Sequence, residues 1–114
     1  MESTMFRMTL KWSVSSGEAR AITSALQVLM IATRAEPGCE GCSLATNMGQ
    51  QVVLRYVEDW KTEDALKRQI RSSRFAVFAE LMEHASKRPT IEFALPGATR
   101  DLDYAEEVRQ SVER

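Results

Sequence analysis

The spacing that most directly suggests chemistry is the Cys-x-x-Cys motif formed by Cys39 and Cys42. In redox proteins this motif opens a helix, whose N-terminus lowers the pKa of a thiol. Here it follows Pro37-Gly38, which ends a predicted helix, and it opens a strand, where residues three apart point to opposite faces. A turn at Gly41 could still bring the thiols together. The motif therefore fits either a redox pair or two small free thiols packed in the protein.

His84 is the one histidine of the chain and the only side chain whose ordinary pKa suits proton transfer near neutral pH. It is predicted near the C-terminal end of a helix, where a positive charge is favourable, so a structural role is sufficient to explain it. Together with Cys39 and Cys42 it offers fewer ligands than the about four Cys or His residues of a structural zinc site. We therefore expect no metal site.

Further candidate site residues lie on or after the predicted strand that ends at Trp60. Trp60 could wall a pocket beside the following helix, or it could be a core residue whose indole N–H finds a backbone acceptor. Arg74 could hold an anionic substrate or a developing oxyanion, or it could lie in solvent. Tyr56 and Arg55 are neighbours on one strand, so at most one of them can face any single pocket.

Periodic apolar residues predict the elements that position these side chains. Large apolar residues at every second position indicate strands, and a spacing of three and four indicates helices. The pair Ser15 and Glu18 has the form of a capping box at a helix start. The predicted elements are a strand over residues 5–14, a helix to about residue 35, a hairpin of strands over 39–47 and 51–60 with turn residues 47–50, a helical region from Thr62 to Pro89 that breaks at Ser72-Ser73, a strand over 90–95, and a short helix after Asp101.

This order predicts an α+β protein with the ferredoxin-like βαββαβ fold, in which two helices cover one face of a four-stranded antiparallel sheet. We expect one such domain over residues 1–97 and a C-terminal helical extension over residues 98–114 that docks on its own subunit or on a dimer partner. The other face of the sheet also carries apolar residues. That face predicts a homodimer in which two sheets pack face to face.

Composition excludes several classes of partner. Fifteen Lys and Arg residues are matched by 16 Asp and Glu residues, and no basic run indicates nucleic-acid binding. No segment approaches the about 18 apolar residues that suggest a membrane span. Residues 1–4 lack the basic and apolar start of a secretion signal. We expect a cytoplasmic protein that binds neither nucleic acid nor membrane.

Several short segments resemble one known family, the antibiotic biosynthesis monooxygenase domain of the dimeric α/β-barrel superfamily. The resemblance covers roughly residues 5–95, and the tail around Asp101 and Val108 is similar to the extra C-terminal segment of one branch of that family. The segments that carry the main resemblance are Glu36-Pro37-Gly38-Cys39, Tyr56-Val57-Glu58-Asp59-Trp60, Ala65-Leu66 and Arg71-Ser72-Ser73-Arg74-Phe75.

The resemblance implies a homodimer whose two sheets form a barrel. Some members are quinol or anthrone monooxygenases that use no metal, flavin or haem, so it also implies a small aromatic or quinol-like substrate and no cofactor. In such a reaction the protein binds the ring, removes a proton and stabilises an oxyanion. The candidates for these tasks are Arg74, Trp60 and Gln69 as catalytic residues, and Tyr56, Trp60, Phe75 and Phe78 as substrate-binding residues.

The chain departs from the family pattern in its second helical region. Many members carry two histidines there, and Gln69 and Arg74 occupy those positions here. The haem-ligating histidine of a haem-degrading branch falls at Ala79, so haem binding is not expected. The loss of the histidines favours an alternative, a non-catalytic homodimeric domain that binds a small ligand or serves as an interaction module. Thiol redox chemistry at Cys39 and Cys42 is a third hypothesis.

Overall fold

One antiparallel sheet with helices on one face forms the body of the protein. The computed structural model describes residues 5–49 and 51–111. Residues 1–4 of the sequence start, Gln50 of the predicted turn and residues 112–114 of the tail lie outside the described residues. The elements are β1 Phe6–Val14, α1 Ser16–Arg34, β2 Cys39–Met48, β3 Val52–Trp60, α2 Glu63–Arg71, α3 Ser73–Glu83, β4 Thr90–Leu95, β5 Ala98–Arg100 and α4 Leu102–Gln110.

The ferredoxin-like fold is confirmed, but its sheet has five strands in the order β2-β3-β1-β4-β5 instead of the four expected. The additional strand, β5, pairs with β4 so that Leu95 lies opposite Ala98. Pro96-Gly97 ends β4 as expected, but it also reverses the chain, because Gly97 has φ +79° and can occupy the third position of a tight turn. The prediction treated this dipeptide only as a strand end.

The predicted capping box and the predicted helix break are both confirmed. Glu18 donates its backbone N–H to the Ser15 hydroxyl, and Ser15 donates its own backbone N–H to the Glu18 carboxylate, which completes the capping box of α1. Ser72 ends α2 and begins α3, since its hydroxyl accepts from the Phe75 N–H and donates to the Gln69 carbonyl. The break at Ser72 sets the direction in which α3 leaves α2.

The core lies between the sheet and the helices. Met8, Leu10 and Trp12 on β1 point to the helix-covered face and are fully buried. The antiparallel register places Met8 opposite Glu58 and Leu10 opposite Tyr56, so those β3 residues share the same face. The β3 side chains on this face therefore enter the core beside α1 and α2.

Helix α4 packs against its own subunit. Tyr104, Ala105 and Val108 are buried, and the Tyr104 ring lies 5.1 Å from that of Phe93 on β4. Two arginines also join α4 to α2: Arg71 Nε donates to the Val108 carbonyl, and Arg109 Nη1 donates to the Ile70 carbonyl. The helix is thus held at fixed points rather than by apolar contact alone. Over the described ranges, no helix combines the length and apolar character needed to cross a membrane.

Candidate functional site

A carboxyl group is buried in the core at Glu58. Its side chain follows Leu54 and Tyr56 on the inward face of β3, because every second residue of a strand points the same way. Glu58 is 0% exposed. A buried carboxyl group is costly unless several donors satisfy it, so its surroundings identify the polar centre of the molecule.

Three donors converge on Glu58. The Tyr56 hydroxyl donates at 2.6 Å and the Trp60 indole Nε1–H at 3.0 Å, from the residues on either side of Glu58 along the same strand face. Gln69 on α2 donates from Nε2 at 3.0 Å. Bonds of this kind strengthen when the acceptor is ionised. Tyr56, Trp60 and Gln69, which were predicted as site residues, are therefore brought together by a residue that was not.

Burial and hydrogen bonding oppose each other at this centre. Desolvation raises the pKa of Glu58, while the hydrogen bonds from Tyr56, Trp60 and Gln69 and the positive charge of Arg74 lower it. Burial, followed by the negative charge of Glu58, raises the pKa of Tyr56. Tyr56 therefore remains a protonated donor at neutral pH.

Gln69 connects this centre to the surface. Its Nε2 also donates to the hydroxyl of Thr33 on α1 at 3.1 Å, and its Oε1 accepts from Arg74 Nε at 3.0 Å. Arg74 in turn lies 3.4 Å from a carboxylate oxygen of Glu36. An amide cannot pass on a proton as a histidine can, so Gln69 positions its neighbours and does not act as a base. We call the set of residues joined by these bonds the Glu58 network; its members are Thr33, Tyr56, Glu58, Trp60, Gln69 and Arg74.

The two cysteines lie on the same face of the sheet. A β-bulge between Cys39 and Gly41 shifts the register, so that Cys39 lies opposite Trp60 and Cys42 opposite Glu58. A regular strand would place the two thiols on opposite faces, but the bulge adds one residue to the alternation, so of the two alternatives left open the irregularity near Gly41 applies. Both thiols are free.

The environment of the thiols disfavours their ionisation. Burial raises the pKa of Cys39, and it raises that of Cys42 to about 12. The Cys42 thiol instead donates to the Tyr56 hydroxyl at 3.1 Å. Because the thiolate is the reactive form in disulfide exchange, this environment does not favour redox chemistry at neutral pH.

A second feature is an open cleft of about 910 Å³ between α3, β4 and α4. Charged side chains from the end of α3 and from α4 line it together with apolar ones. Its apolar lining includes Phe75, Ala79, Met82, Ile91, Leu102 and Ala105. This volume lies within the range of about 300–1,000 Å³ that is usual for small-molecule sites.

Aromatic rings connect the cleft with the Glu58 network. Phe75 lines the cleft, and its ring lies 6.2 Å from that of Phe78, which lies 5.0 Å from the Tyr56 ring. Phe78 is fully buried between them. Changes in the cleft wall can therefore reach Tyr56 by packing alone.

Of the predicted site residues, Phe75 lines the cleft, whereas Tyr56, Trp60, Gln69 and Arg74 belong to the Glu58 network. Phe78 lies between the two features, and Cys42 joins the network through Tyr56. Cys39 packs beside the core without a bond to Glu58. His84 is an exposed residue at the end of α3.

Sequence reasoning missed Glu58, Thr33 and the α4 wall of the cleft. The signal for Glu58 was visible, since a carboxylate occupies the inward row of β3 between two aromatic residues. Thr33 and the α4 wall had no comparable local signal. Within the described part of the chain, no group of His, Cys, Asp and Glu side chains is arranged to hold a metal ion.

Comparison with known protein families identifies one family whose model matches most of this chain. The model of the family described as antibiotic biosynthesis monooxygenase matches residues 5–81. A search of curated protein sequences finds no match. The matched segment ends within α3, so the cleft wall formed by α4 lies outside it.

Solved structures share the fold. A conserved protein from Methanosarcina mazei Go1 is 25% identical with a TM-score of 0.70, covering 81% of this chain and 92% of that one. PA3566 from Pseudomonas aeruginosa is 23% identical with a TM-score of 0.68, covering 86% and 99%. A candidate antibiotic biosynthesis monooxygenase from Caulobacter crescentus CB15 is 22% identical with a TM-score of 0.68, covering 81% and 89%.

Proposed function

Since the chain belongs to the antibiotic biosynthesis monooxygenase family, we propose that it is a cofactor-independent monooxygenase acting on a small aromatic or quinol-like molecule. The observation that carries this proposal is the cleft between α3, β4 and α4, which combines apolar walls with carboxylates at its rim. Phe75, Met82 and Leu102 offer a surface for an aromatic ring. The rim carboxylates offer acceptors for its hydroxyl groups.

The chemistry needs little from the protein. An anthrone or quinol that loses a proton becomes an electron-rich anion and can reduce oxygen itself. In the anthrone case one oxygen atom becomes the new carbonyl, and the two hydrogens of the reacting carbon leave with the other atom as water. The substrate thus supplies all four electrons that reduce the oxygen molecule. The cleft would orient the ring, accept the hydroxyl proton at a carboxylate and exclude bulk water from part of the ring.

Residue 79 supports a reaction without haem. Ala79 lines the cleft at the position where the resembling haem-degrading branch has its ligating histidine. A methyl group offers no lone pair to iron. The same small side chain leaves room for an organic ring in the cleft.

Oxygen uptake with a panel of anthrones and quinols tests the proposal. Ala79→Trp should abolish uptake because it fills the cleft, whereas Val77→Trp, on the same helix but exposed and outside the cleft, should leave it unchanged. Isotopically labelled oxygen gas should place one labelled atom in the product. Absence of uptake with every substrate, or equal uptake by both variants, would reject a monooxygenase acting in this cleft.

A second candidate function is ligand binding without turnover. Gln69 and Arg74 replace the histidines of many members, and both side chains are committed to the Glu58 network. Neither residue lines the cleft. Saturable binding of an aromatic ligand that Ala79→Trp abolishes, together with no oxygen uptake, would select this function.

We also propose that two copies pair through the open face of the sheet. On this face Ala45 and Ala94 are exposed and Val53 is half-buried, so apolar surface remains to be covered. Pairing there would bury further surface in a chain of 114 residues. Sedimentation equilibrium should give twice the chain mass for the wild type and for the control Val77→Lys, and the chain mass for Ala94→Lys, at an exposed position of this face. A monomeric wild type would reject the pairing.

A further inference from the structure

We infer that the cleft selects an aromatic ligand carrying a cationic amine over the same ligand carrying a carboxylate. This inference rests on the proposed function only in using the same cleft and an aromatic ligand. It concerns the charge at the cleft rim. Four carboxylates and two guanidinium groups line the cleft, a net charge of −2, and they belong to Glu83, Arg88, Asp101, Asp103, Glu106 and Arg109.

Two of these groups are already engaged in the structure. Arg109 donates from Nη1 to the Ile70 carbonyl at 2.5 Å, which holds its charge against α2. Asp101 caps α4 by accepting from the Asp103 backbone N–H at 3.0 Å. Among the described residues, the side chains of Glu83, Asp103 and Glu106 have no hydrogen bond or ion pair. Three carboxylates and the guanidinium group of Arg88 are therefore left for a ligand, a net charge of −2.

The helix dipoles affect the charges of these three carboxylates differently. Asp103 lies in the first turn of α4, where the positive helix end offsets part of its charge. Glu83 is the last residue of α3, where the negative helix end adds to its charge. Glu106 lies in the middle of α4, away from both ends. Glu83 and Glu106, which line the cleft from different helices, are thus its main source of negative potential.

The charged lining residues lie outside the segment that the family model matches. All six charged lining residues follow residue 81, where the family match ends. The apolar lining includes Phe75 and Ala79, which lie inside the matched segment. The matched segment would thus supply part of the surface for a ring, and residues beyond it would select its charged substituent.

Equilibrium binding tests the inference without requiring turnover. The probes are three hydroquinones carrying a methyl, an aminomethyl or a carboxymethyl group, measured by calorimetry under nitrogen so that none is oxidised. We expect the aminomethyl compound to bind about fivefold more tightly than the methyl compound and the carboxymethyl compound to bind more weakly, as for exposed charge pairs. The differences should shrink as salt is added, because exposed charges are screened.

Charge variants locate the effect. The double variant Glu83→Lys and Glu106→Lys should reverse the preference, so that the carboxymethyl compound binds most tightly. Glu80→Lys is the matched control, since it is an exposed glutamate on α3 that does not line the cleft. It should leave the order unchanged. Thermal unfolding of all variants verifies that they remain folded.

The outcomes separate this inference from the proposed function. Selective amine binding without any oxygen uptake keeps the charge selection and removes the monooxygenase. Oxygen uptake, together with binding of the carboxymethyl compound that equals or exceeds binding of the aminomethyl compound, keeps the monooxygenase and removes the charge selection. Loss of preference in Glu80→Lys equal to that in the double variant, or no binding of any of the three compounds, overturns the inference.

Discussion

Gln69 on α2 donates a 3.0 Å hydrogen bond from Nε2 to the carboxyl group of Glu58 on β3. The same amide also donates to Thr33 and accepts from Arg74, so both of its polar atoms are engaged. One side chain therefore joins the sheet to α1, α2 and the start of α3. Its contribution is to hold the helices on the sheet in a defined position.

Replacing Gln69 tests this role. Gln69→Leu keeps a side chain of similar size but removes one donor from Glu58 and the acceptor of Arg74. We expect the free energy of unfolding to fall by about 1–3 kcal/mol, the usual cost of leaving a buried polar group unsatisfied. Urea denaturation measures this change. Gln27→Leu, at an exposed position on α1, should change stability little, and an equal loss in both variants would contradict the assigned role.

The two tryptophans provide a matched pair. Both are buried, but Trp60 donates its indole N–H to Glu58, whereas the Trp12 indole N–H has no partner among the described residues. Trp60→Phe and Trp12→Phe remove similar side-chain volumes. The difference between their losses in unfolding free energy therefore reports the hydrogen bond to Glu58. We expect Trp60→Phe to be less stable than Trp12→Phe by about 1–3 kcal/mol, the usual cost of leaving a buried acceptor without its donor. Equal losses in denaturant unfolding would contradict the pairing with Glu58.

The raised pKa of Glu58 predicts a pH dependence with a definite sign. The folded state holds this proton more tightly than the unfolded state. Its stabilising contribution is complete below the ordinary glutamate pKa of about 4.3 and is lost as the pH rises through the higher folded value. Glu58→Gln carries no such proton. The unfolding free energy of Glu58→Gln minus that of the wild type should therefore increase with pH over this window.

Urea titrations of both proteins at several pH values measure this difference. Other groups titrate equally in the two proteins and cancel, including Glu18, whose pKa is lowered chiefly by hydrogen bonds from Ser15 and Ser86. A difference that stays constant or decreases with rising pH would show that the folded protein does not raise the pKa of Glu58.

Two glycines separate backbone strain from steric overlap. Gly38 has φ +89°, and a Cβ atom there would lie 2.6 Å from the Cβ of Ala65 on α2. Gly97 has φ +79°, but no heavy atom lies within 4 Å of its added Cβ. Gly97→Ala should therefore cost about 1–2 kcal/mol for the left-handed backbone alone. Gly38→Ala should cost about 1–3 kcal/mol more, because the core must also shift.

Denaturant unfolding of the two glycine variants measures both the cost of the left-handed backbone and the cost of the steric overlap. Gly38 lies in the Glu-Pro-Gly turn, and its carbonyl also accepts from the Lys61 N–H at 2.8 Å. The turn therefore connects the start of β2 to the end of β3 at a point where α2 passes closely. Equal losses at Gly38 and Gly97 would show that α2 moves away at no cost.

Interactions between residues close in sequence were predictable. The capping box of Ser15 and Glu18 and the helix break at Ser72 involve partners three residues apart, so local types and spacing suffice to define them. The inward row of β3 also follows from simple alternation, although the glutamate within it was not recognised as a buried centre. The end of the strand before Pro96-Gly97 was predicted, but the reversal of the chain there depends on whether β4 has a free edge to receive β5.

By itself, the sequence determined the order of the elements, the fold and the family resemblance, because periodicity and caps act over a few residues. Tertiary structure alone decided which of the candidate residues meet. Glu58 receives Gln69 from 11 positions along the chain, and Gln69 in turn binds Thr33, 36 positions away. The cleft likewise exists only where α3, β4 and α4 pack together. Such contacts follow from how helices settle on the sheet, and no local spacing encodes that.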